Sequence, residues 1–257
     1  MANSVYRAGN NHAVKVDAAG LYYRDLNARL RELVADGVQK IELLNVCGQR
    51  YIGTDLKRPV EIEICGTPGN DLGAFMDGPR IIVKGNAQDG SGNTMNEGEI
   101  IVHGHGGDIT GLSARGGKIF IRDSVGYRTG IHMKEYGDKK PVLVIGGTAQ
   151  DFMGEYMAGG ILILLGLNLG EGEQYRAKFI GTGMHGGVIY LRGSVEDYQL
   201  GREVGMAELE AGDYKVLEQF VGEFATHFDC DTEEILGHKF IRLFPLHLRP
   251  YGRLYAY

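Results

Sequence analysis

Four Asx residues recur at one position of a repeated pattern, and they are the first candidates for chemistry. Asn70, Asp89, Asp108 and Asp151 share the same phase of that repeat. Stacked carboxylates would suit a calcium ion or an acid–base pair. Asx side chains in tight turns, however, also accept hydrogen bonds from backbone N–H groups two residues on. We expect this structural role at the corners of the repeat.

The histidines and cysteines give a weaker signal for a metal or redox centre. His103 and His105 lie two residues apart on a predicted strand, hence on one face, but no third ligand has metal-binding spacing. The three cysteines form no C-x-x-C pair, which argues against a disulfide framework, a zinc site or an iron–sulfur site. Cys47 and Cys65 are roughly one repeat apart, so we expect them to stack as small apolar groups. We therefore predict no catalytic, cofactor-binding or metal-binding residue on this chain.

Two glycine-containing strings resemble catalytic or nucleotide motifs only superficially. GLSARG, residues 111–116, lacks the glycine two residues after Ser113 that a G-x-S-x-G nucleophile elbow requires. GHGG, residues 104–107, suggests a dinucleotide-binding loop, but no βαβ unit surrounds it. Repetition alone explains both strings.

The elements that would position these residues form a repeat of a glycine-rich turn followed by a short strand. Seven units run over residues 48–192, and four consecutive members are spaced at 19 residues. Such a fixed interval indicates one supersecondary unit laid down repeatedly, each copy burying its apolar face against the next. Short coils must turn sharply, and only glycine enters φ > 0 without strain. The predicted corner glycines are Gly73, Gly92, Gly111, Gly130, Gly154 and Gly181.

The predicted fold is all-β, a single-stranded, right-handed parallel β-helix of about seven coils. An apolar pair recurs in every unit with two-residue alternation, from Ile62 and Ile64 to Ile189 and Leu191, and faces inward. Coils stacked ~4.8 Å apart then form ladders of similar side chains. A second interior column is predicted from five methionines, Met76, Met95, Met133, Met157 and Met184.

Three segments are predicted along the chain. Residues 1–47 hold an amphipathic helix over 21–36 and a capping strand, 48–193 form the β-helix, and 194–257 form a docking tail. Within this tail, residues 206–228 are predicted to be helical and residues 238–257 extended. Aromatic residues alternate with arginines in this tail, which is typical of an arm that docks on its own domain or on a neighbour. The polar insertions 135–141 and 169–176 lengthen two units and predict loops projecting from one edge.

The outward side of the predicted sheet is unexpectedly apolar. The position between the two inward residues should meet solvent, yet a strand face that is apolar on both sides is usually covered on both sides. We expect either the chain's own terminal elements or a partner protein to lie there. The candidate partner-facing stripe consists of Ile82, Ile101, Phe120, Val144, Ile163 and Tyr190.

Composition argues against several functional classes. A formal net charge of -6 leaves no basic excess to neutralise phosphates, so nucleic acid is not an expected partner. The longest apolar run, residues 159–167, is about half the ~20 residues needed to span a bilayer. The N-terminal residues lack the apolar core of a signal peptide. We expect a cytoplasmic chain without a membrane segment.

Four runs of the chain resemble a known family. They are GNAQDGSGNTMNEGEIIVHG (85–104), GYRTGIHMKEY (126–136), GGTAQDFMGEYMAGGILILLG (146–166) and GTGMHGGVIYLRG (181–193). These runs resemble the GXGXG-motif domain at the C-terminus of the glutamate synthase large subunit, and the same type of β-helix occurs in one of the subunits of formylmethanofuran dehydrogenase. The preceding helix and the final PYGRLYAY look like the stand-alone version of that domain.

The resemblance implies a non-catalytic scaffold role in glutamate biosynthesis and nitrogen metabolism. In that family, a glutaminase domain releases ammonia from glutamine, and a flavin- and cluster-bearing domain converts ammonia and 2-oxoglutarate to glutamate. The implied partners are therefore a glutaminase-type amidotransferase subunit and an FMN/iron–sulfur synthase subunit, which would carry the cofactors. Ala2 stands where an N-terminal cysteine nucleophile would be expected.

Other assemblies and other functions stay open at this point. An N-methylglutamate synthase or a formylmethanofuran dehydrogenase would use the same module. An independent small-ligand-binding or hydrolytic β-helix protein is the alternative of a different class, and a polar cleft beside the two insertion loops would favour it. Association of identical copies is not decided by the sequence.

Overall fold

The computed structural model describes residues 5–7 and 13–247. The strands are β1 Val5–Arg7, β2 Ala13–Asp17, β3 Lys40–Cys47, β4 Glu61–Thr67, β5 Asp77–Val83, β6 Glu97–Val102, β7 Lys118–Ile121, β8 Val142–Ile145, β9 Ala158–Leu164, β10 Gly186–Arg192, β11 Val204–Ala207 and β12 Phe240–Pro245. The helices are α1 Tyr23–Ala35, α2 Ala211–Phe228 and α3 Thr232–Leu236, with a single 3-10 turn at Asp197–Gln199. Within these described ranges, no helix is long and apolar enough to cross a membrane.

Strands β2 to β10 pair in parallel in the order of the sequence, one strand for each coil. The inward row of the sequence prediction is one continuous register. It has seven positions joined by six advances, so the solenoid makes about six turns there. The predicted parallel β-helix is confirmed. The row is Ile62, Ile81, Ile100, Ile119, Leu143, Leu162 and Ile189.

The inward side chains make one buried core along the solenoid. The row just described is at most 1% exposed, and the predicted methionine column lies in the same cluster with equally small exposure. Similar apolar side chains stacked one coil apart remove nearly all of their surface from water, which stabilises the fold by roughly 25 cal/mol per Å² of apolar area. This burial is the main stabilising contribution of the repeat.

Separate elements cover the two ends of this core. Helix α1 crosses from β2 to β3 and packs Leu26, Leu30 and Leu33 into the core, which confirms the predicted N-terminal helix. At the other end, β12 pairs antiparallel with β10, and β11 pairs with β12. Val204 and Leu243 from these two strands complete the buried cluster. Covered ends prevent the solenoid from acting as a template for edge-to-edge pairing.

The C-terminal segment divides differently from the sequence prediction. Met206 and Ala207, predicted at the start of a helix, lie in β11, and the helix itself begins at Ala211. The strand forms because its partner β12 is contributed by residues far along the chain, and this pairing outweighs local helix propensity. The extended stretch predicted near the end is found at Phe240–Pro245. Residues 248–257 of the predicted docking tail lie outside the described residues.

Candidate partner-binding surface

Helix α2 covers the apolar stripe on the outer face of the sheet. All six stripe residues are buried, and they form a second cluster with Leu217, Phe220, Val221 and Phe224 of the helix. Of the two covers that the sequence left open, the chain's own helix is the one found, so the candidate partner-facing stripe is corrected to a surface buried within the chain. The physical reason is that α2 is itself amphipathic and its apolar side matches the stripe. The six stripe residues are Ile82, Ile101, Phe120, Val144, Ile163 and Tyr190.

Two features hold α2 in place on the sheet. A Cβ atom at Gly146 would lie 2.6 Å from Phe224 Cζ, so the glycine permits the close approach of the phenylalanine ring. Near the start of the helix, the Tyr190 hydroxyl donates a 2.6 Å hydrogen bond to the Asp213 carboxylate, and Arg242 lies 3.3 Å from the same carboxylate. Burial, together with this hydrogen bond, raises the pKa of Tyr190 above its ordinary value. The phenol therefore stays protonated as a donor that anchors the helix.

A row of charged side chains lies on the outer face beside the part that α2 covers. Lys40 pairs with Glu61 at 2.7 Å, and Arg80 bridges Glu61 at 3.0 Å and Glu99 at 2.7 Å. These side chains occupy one outward row on consecutive strands. Burial by itself would raise the pKa of the Glu99 carboxyl, but the neighbouring His227 and Arg80 outweigh it and lower the pKa to about 2. The row thus continues from the open sheet to the C-terminal end of the covering helix.

Each coil turns through a five-residue corner in which the first, third and fifth residues have positive φ. In one coil these are Asp71 at 61°, Gly73 at 65° and Phe75 at 59°. The N–H groups of Asp71 and Phe75 donate to carbonyls of the next coil, whereas the N–H of Gly73 donates to the preceding coil. This alternation links every corner to both of its neighbours and gives the solenoid a second hydrogen-bonded ladder besides its sheet.

The predicted corner glycines all occupy the third position of this corner, with φ between 65° and 75°. A Cβ atom built on any of them would lie no more than 2.8 Å from a core side chain of the following coil or of β11. Glycine is therefore required both for the backbone conformation and for the space that the core fills. The six are Gly73, Gly92, Gly111, Gly130, Gly154 and Gly181.

Aromatic side chains project from the first and fifth corner positions of the C-terminal coils. The rings of Phe152 and Phe179 stack with their centroids 4.9 Å apart, and those of His132 and Tyr156 stack at 5.4 Å. The Arg128 guanidinium lies 5.1 Å from the Phe152 centroid. We call these five residues the corner surface. Tyr156 and Phe179 are each 48% exposed, although every member adopts a positive φ that side chains disfavour.

The corner surface surrounds a nearly buried carboxylate. Glu155 is 7% exposed, and one of its carboxylate oxygens lies 2.9 Å from Arg128 Nη1. The backbone N–H of His132 donates to the Glu155 carbonyl from the preceding coil. Sequence reasoning missed this arrangement, because a positive φ at a non-glycine residue leaves no signal in residue type. The interval between Phe152 and Phe179 is also obscured by the inserted loop.

Three of the four Asx side chains, those of Asp89, Asp108 and Asp151, hold adjacent coils together. The N–H of Asp108 donates to the Asp89 carboxylate at 2.9 Å, and the N–H of Tyr127 donates to the Asp108 carboxylate at 2.8 Å. Asp151 accepts likewise from the N–H of Lys178 at 2.8 Å. The expected acceptor role is present, but the donor lies in the next coil and not two residues on. Stacking places that N–H directly beside the side chain, which explains the difference.

The histidines are not brought together. His103 contacts the Phe228 ring edge-on at 5.2 Å, and burial together with nearby Lys84 and Arg122 lowers its pKa. His105 is exposed, with its Nε2 atom 3.8 Å from a carboxylate oxygen of Asp123. Over residues 5–7 and 13–247, no group of three or more His, Cys, Asp or Glu side chains is arranged to hold a metal ion. Two further histidines, His132 and His185, lie on or beside the corners.

The cysteines do not stack as the sequence predicted. Cys47 pairs in register with Thr67, because β3 and β4 are offset by 20 to 21 residues whereas the two cysteines are 18 residues apart. Cys47 is exposed and Cys65 is partly exposed, so neither serves as a small core group.

The two insertion loops behave differently. In the first, Tyr136 and Lys139 exchange backbone hydrogen bonds, and the Lys139 ammonium folds back to Glu97 at 2.7 Å and Asp77 at 3.1 Å. The second loop borders an open polar cleft of about 490 Å³. Three amide side chains, a carboxylate and a guanidinium line this cleft, namely Gln150, Asn168, Gln174, Glu173 and Arg176.

Comparisons with known proteins agree with this architecture. A family model described as the GXGXG motif matches residues 40–246. An uncharacterized protein of Methanocaldococcus jannaschii is 50% identical over 251 residues, which cover 95% of this chain and 96% of the relative. The first, third and fifth corner residues have positive φ, and this is the spacing of the three glycines in a G-x-G-x-G sequence. Glycine adopts such a φ without strain, which explains the motif physically. This chain keeps glycine at the third position and places side chains at many of the others.

Proposed function

Since the chain belongs to the GXGXG motif family, we propose that it is a non-catalytic scaffold subunit of a glutamate synthase-type complex. In this proposal it organises a separate glutaminase-type amidotransferase subunit and an FMN/iron–sulfur synthase subunit. Ammonia is released from glutamine on the first partner and is combined with 2-oxoglutarate on the second. The cofactors belong to the partners, and the β-helix fixes the relative position of the two catalytic sites.

One observation carries the proposal. The described residues best suited to chemistry are already used to hold the coils together, as with Asp89, Asp108 and Asp151. Tyr190 and Asp213 likewise fasten α2 to the sheet. These polar side chains form hydrogen bonds within the solenoid itself. This use supports a role in positioning other subunits better than a catalytic role.

The surfaces that α2 leaves free are where we place the partner contacts. The charged row around Glu61, Arg80 and Lys40 is accessible on the outer face, and Tyr136 is exposed on the first insertion loop. Mixed charges of this kind favour specific orientation and fast encounter of a partner more than raw affinity. An N-methylglutamate synthase or a formylmethanofuran dehydrogenase would use such surfaces in the same way, and the identity of the partner decides among these complexes.

The test is affinity capture of the tagged full-length chain from its native cells, followed by mass spectrometry and an absorbance spectrum. We expect a glutaminase-like polypeptide and a flavin- and iron–sulfur-bearing polypeptide in the recovered complex. Mixing the purified partners with and without this chain should then show faster glutamine-dependent glutamate formation when the chain is present. A colourless chain recovered alone, and partners unaffected by its addition, would rule the scaffold proposal out.

The polar cleft beside residues 169–176 favours a second candidate, the binding of a small polar ligand. Arg176 suits a carboxylate, and the three amides suit a primary amide or an ammonium group. L-glutamine and L-glutamate are suitable probes in isothermal titration calorimetry of the full chain. Binding that is lost in Arg176→Ala but kept in the neighbouring surface variant Lys178→Ala would support this candidate. No heat of binding in the unmodified chain would eliminate it for these two ligands.

A further inference from the structure

The C-terminal end of the sheet is formed by β11, and among the residues that the structure describes only β12 pairs with this strand. The two strands cover the last coil, so the strands of the solenoid itself are not left as a template, but the cover ends in a strand of its own. Its four residues, Val204–Ala207, include no charged residue and no proline, two features that commonly protect an edge from further pairing. Such an edge can accept another strand through backbone hydrogen bonds.

The outer edge of β11 carries the backbone groups of alternate residues. The N–H of Leu246 donates to the Glu203 carbonyl at 2.8 Å, so these two residues form a hydrogen-bonded pair. Hydrogen-bonded and non-hydrogen-bonded pairs alternate along antiparallel strands, so Gly205 also directs its backbone groups towards β12. The carbonyls of Val204 and Met206 and the N–H of Met206 therefore point towards the outer edge.

The side chains along this edge match those of a second copy of the chain. Met206 is 42% exposed within β11, and the exposed, oppositely charged Arg202 and Glu208 flank the two ends of the strand. When two copies run antiparallel about a two-fold axis at Gly205, Val204 faces Met206 of the other copy, and Arg202 faces Glu208 of the other copy. Apolar side chains then meet each other, and positive charge meets negative charge.

The neighbouring registers lack this match. Hydrogen bonds across the axis can join only residues whose backbone groups point outward, so the nearest alternatives place the axis at Val204 or at Met206. With the axis at Met206, Val204 faces the carboxylate of Glu208. With the axis at Val204, Met206 faces the guanidinium of Arg202. Both alternatives place a charge opposite an apolar side chain, so charge and apolar complementarity select the axis at Gly205.

We propose that the outer edge of β11 is a self-association surface, at which two copies of this chain pair antiparallel about an axis at Gly205. The N–H groups of Met206 and Glu208 donate to the carbonyls of Val204 and Arg202 in the other copy, and the two sheets become continuous. The two-fold axis closes the assembly at a dimer, because each edge occupies the other. Self-association goes beyond the scaffold role and does not depend on it, so the two can fail independently.

The first test is analytical ultracentrifugation of the purified full chain over a range of concentrations. A surface built on one four-residue strand is small, so we expect a reversible equilibrium between monomer and dimer. Arg202→Glu and Glu208→Arg should each raise the dissociation constant by about tenfold or more, because each places like charges opposite each other at two symmetric positions. The double variant Arg202→Glu, Glu208→Arg restores opposite charges and should return the constant to that of the parent.

Lys57→Glu is the matched control, since it changes the net charge as Arg202→Glu does. The Lys57 side chain is 70% exposed and lies between β3 and β4, so its replacement should leave the equilibrium unchanged. Equal weakening by Lys57→Glu would reflect net charge alone and contradict the proposal. A monomer at every concentration overturns it, as expected if another segment of the same chain occupies the edge. A dimer that neither charge reversal weakens also overturns it.

Hydrogen exchange followed by mass spectrometry locates the surface independently of the charges. A peptide covering residues 204–208 should exchange several-fold more slowly in a concentrated sample than in a dilute one, because the N–H groups of Met206 and Glu208 gain acceptors on pairing. Peptides from α1, which covers the other end of the solenoid, should exchange alike in both samples. Unchanged exchange at residues 204–208, under conditions where the chain sediments as a dimer, would assign the dimer to another surface and refute pairing at β11.

Discussion

At the residue scale, the third corner position allows no side chain, and Gly154 is the clearest test. The residue has φ of 70°, and an added Cβ would lie 2.7 Å from Ile189 Cδ1. We expect Gly154→Val to cost more than about 3 kcal/mol of unfolding free energy or to prevent folding, because strain and overlap act together. Urea denaturation measures this loss of unfolding free energy.

Gly222→Ala is the control, since Gly222 lies in α2 with nothing within 4 Å of an added Cβ. That variant should gain up to about 1 kcal/mol, and a Gly154→Val variant that melts like the parent would contradict the corner assignment.

Glu99 makes stability depend on pH at the same scale. Its pKa falls from 4.5 to about 2 in the folded protein, so the unfolded chain binds this proton at a higher pH than the folded chain does. The stabilisation is therefore fully present above the unfolded value and is lost as the pH falls from about 4.5 towards 2. Urea denaturation at steps across this range should show a shallower pH dependence for Glu99→Gln than for the parent. Glu208→Gln, at a highly exposed carboxylate, should follow the parent curve; identical slopes for all three proteins would contradict the assignment to Glu99.

At the element scale, α2 decides how much apolar sheet the molecule shows to water. Phe224 is fully buried against the stripe, and its replacement by alanine removes the ring that contacts Gly146. We expect Phe224→Ala to cost about 3–5 kcal/mol and to increase the fluorescence of a dye that binds exposed apolar surface. Tyr214→Ala, on the exposed side of the same helix, should change stability by no more than about 0.5 kcal/mol. Equal effects of the two substitutions would mean that the helix does not cover the sheet in solution.

Local pattern accounts for most elements but not for their long-range partners. The alternation around Ile62 and the methionine column both indicated the inward face correctly. The first depends on a period of two residues along a strand, and the second on a residue type that recurs from coil to coil, so both can be read from the sequence. Helix α1 followed from its own apolar spacing. The cover on the stripe, the pairing of β11 with β12 and the donors to Asp89 and Asp108 depend on which distant segments meet. No residue pattern within one repeat encodes those meetings.

The candidate surface was less predictable than the fold. The stripe was found from its composition, but composition does not say whether a chain covers an apolar face with its own helix or with a partner. The corner surface was missed because its defining property is backbone conformation. Phe152 and Phe179 become neighbours only when the inserted loop between their coils is removed from the count.

At the scale of the whole molecule, the solenoid is a one-dimensional stack with an uneven cover. Each parallel strand pairs only with its neighbours, whereas α2 contacts outward residues from Ile82 of β5 to Tyr190 of β10. Strands β2 to β4 lie outside that cover and present charged pairs such as Lys15 with Glu42. The C-terminal coils are therefore held by their ladder and by a shared helix, and the N-terminal coils by the ladder and α1.

This difference predicts that the same glycine-to-valine substitution destabilises a different number of strands, depending on the coil in which it is made. Gly53 and Gly111 both have positive φ and both would place a Cβ against a core side chain. We expect Gly53→Val to raise hydrogen exchange mainly in Lys40–Cys47 and Glu61–Thr67, because those strands can loosen while α2 keeps the later coils together. Gly111 lies in a coil whose strands are covered by α2. We therefore expect Gly111→Val to raise hydrogen exchange across β5 to β10 and in α2 itself. Hydrogen exchange followed by mass spectrometry resolves the two patterns. Uniform loss of protection in both variants would show that the solenoid unfolds as a single unit and that α2 does not divide it.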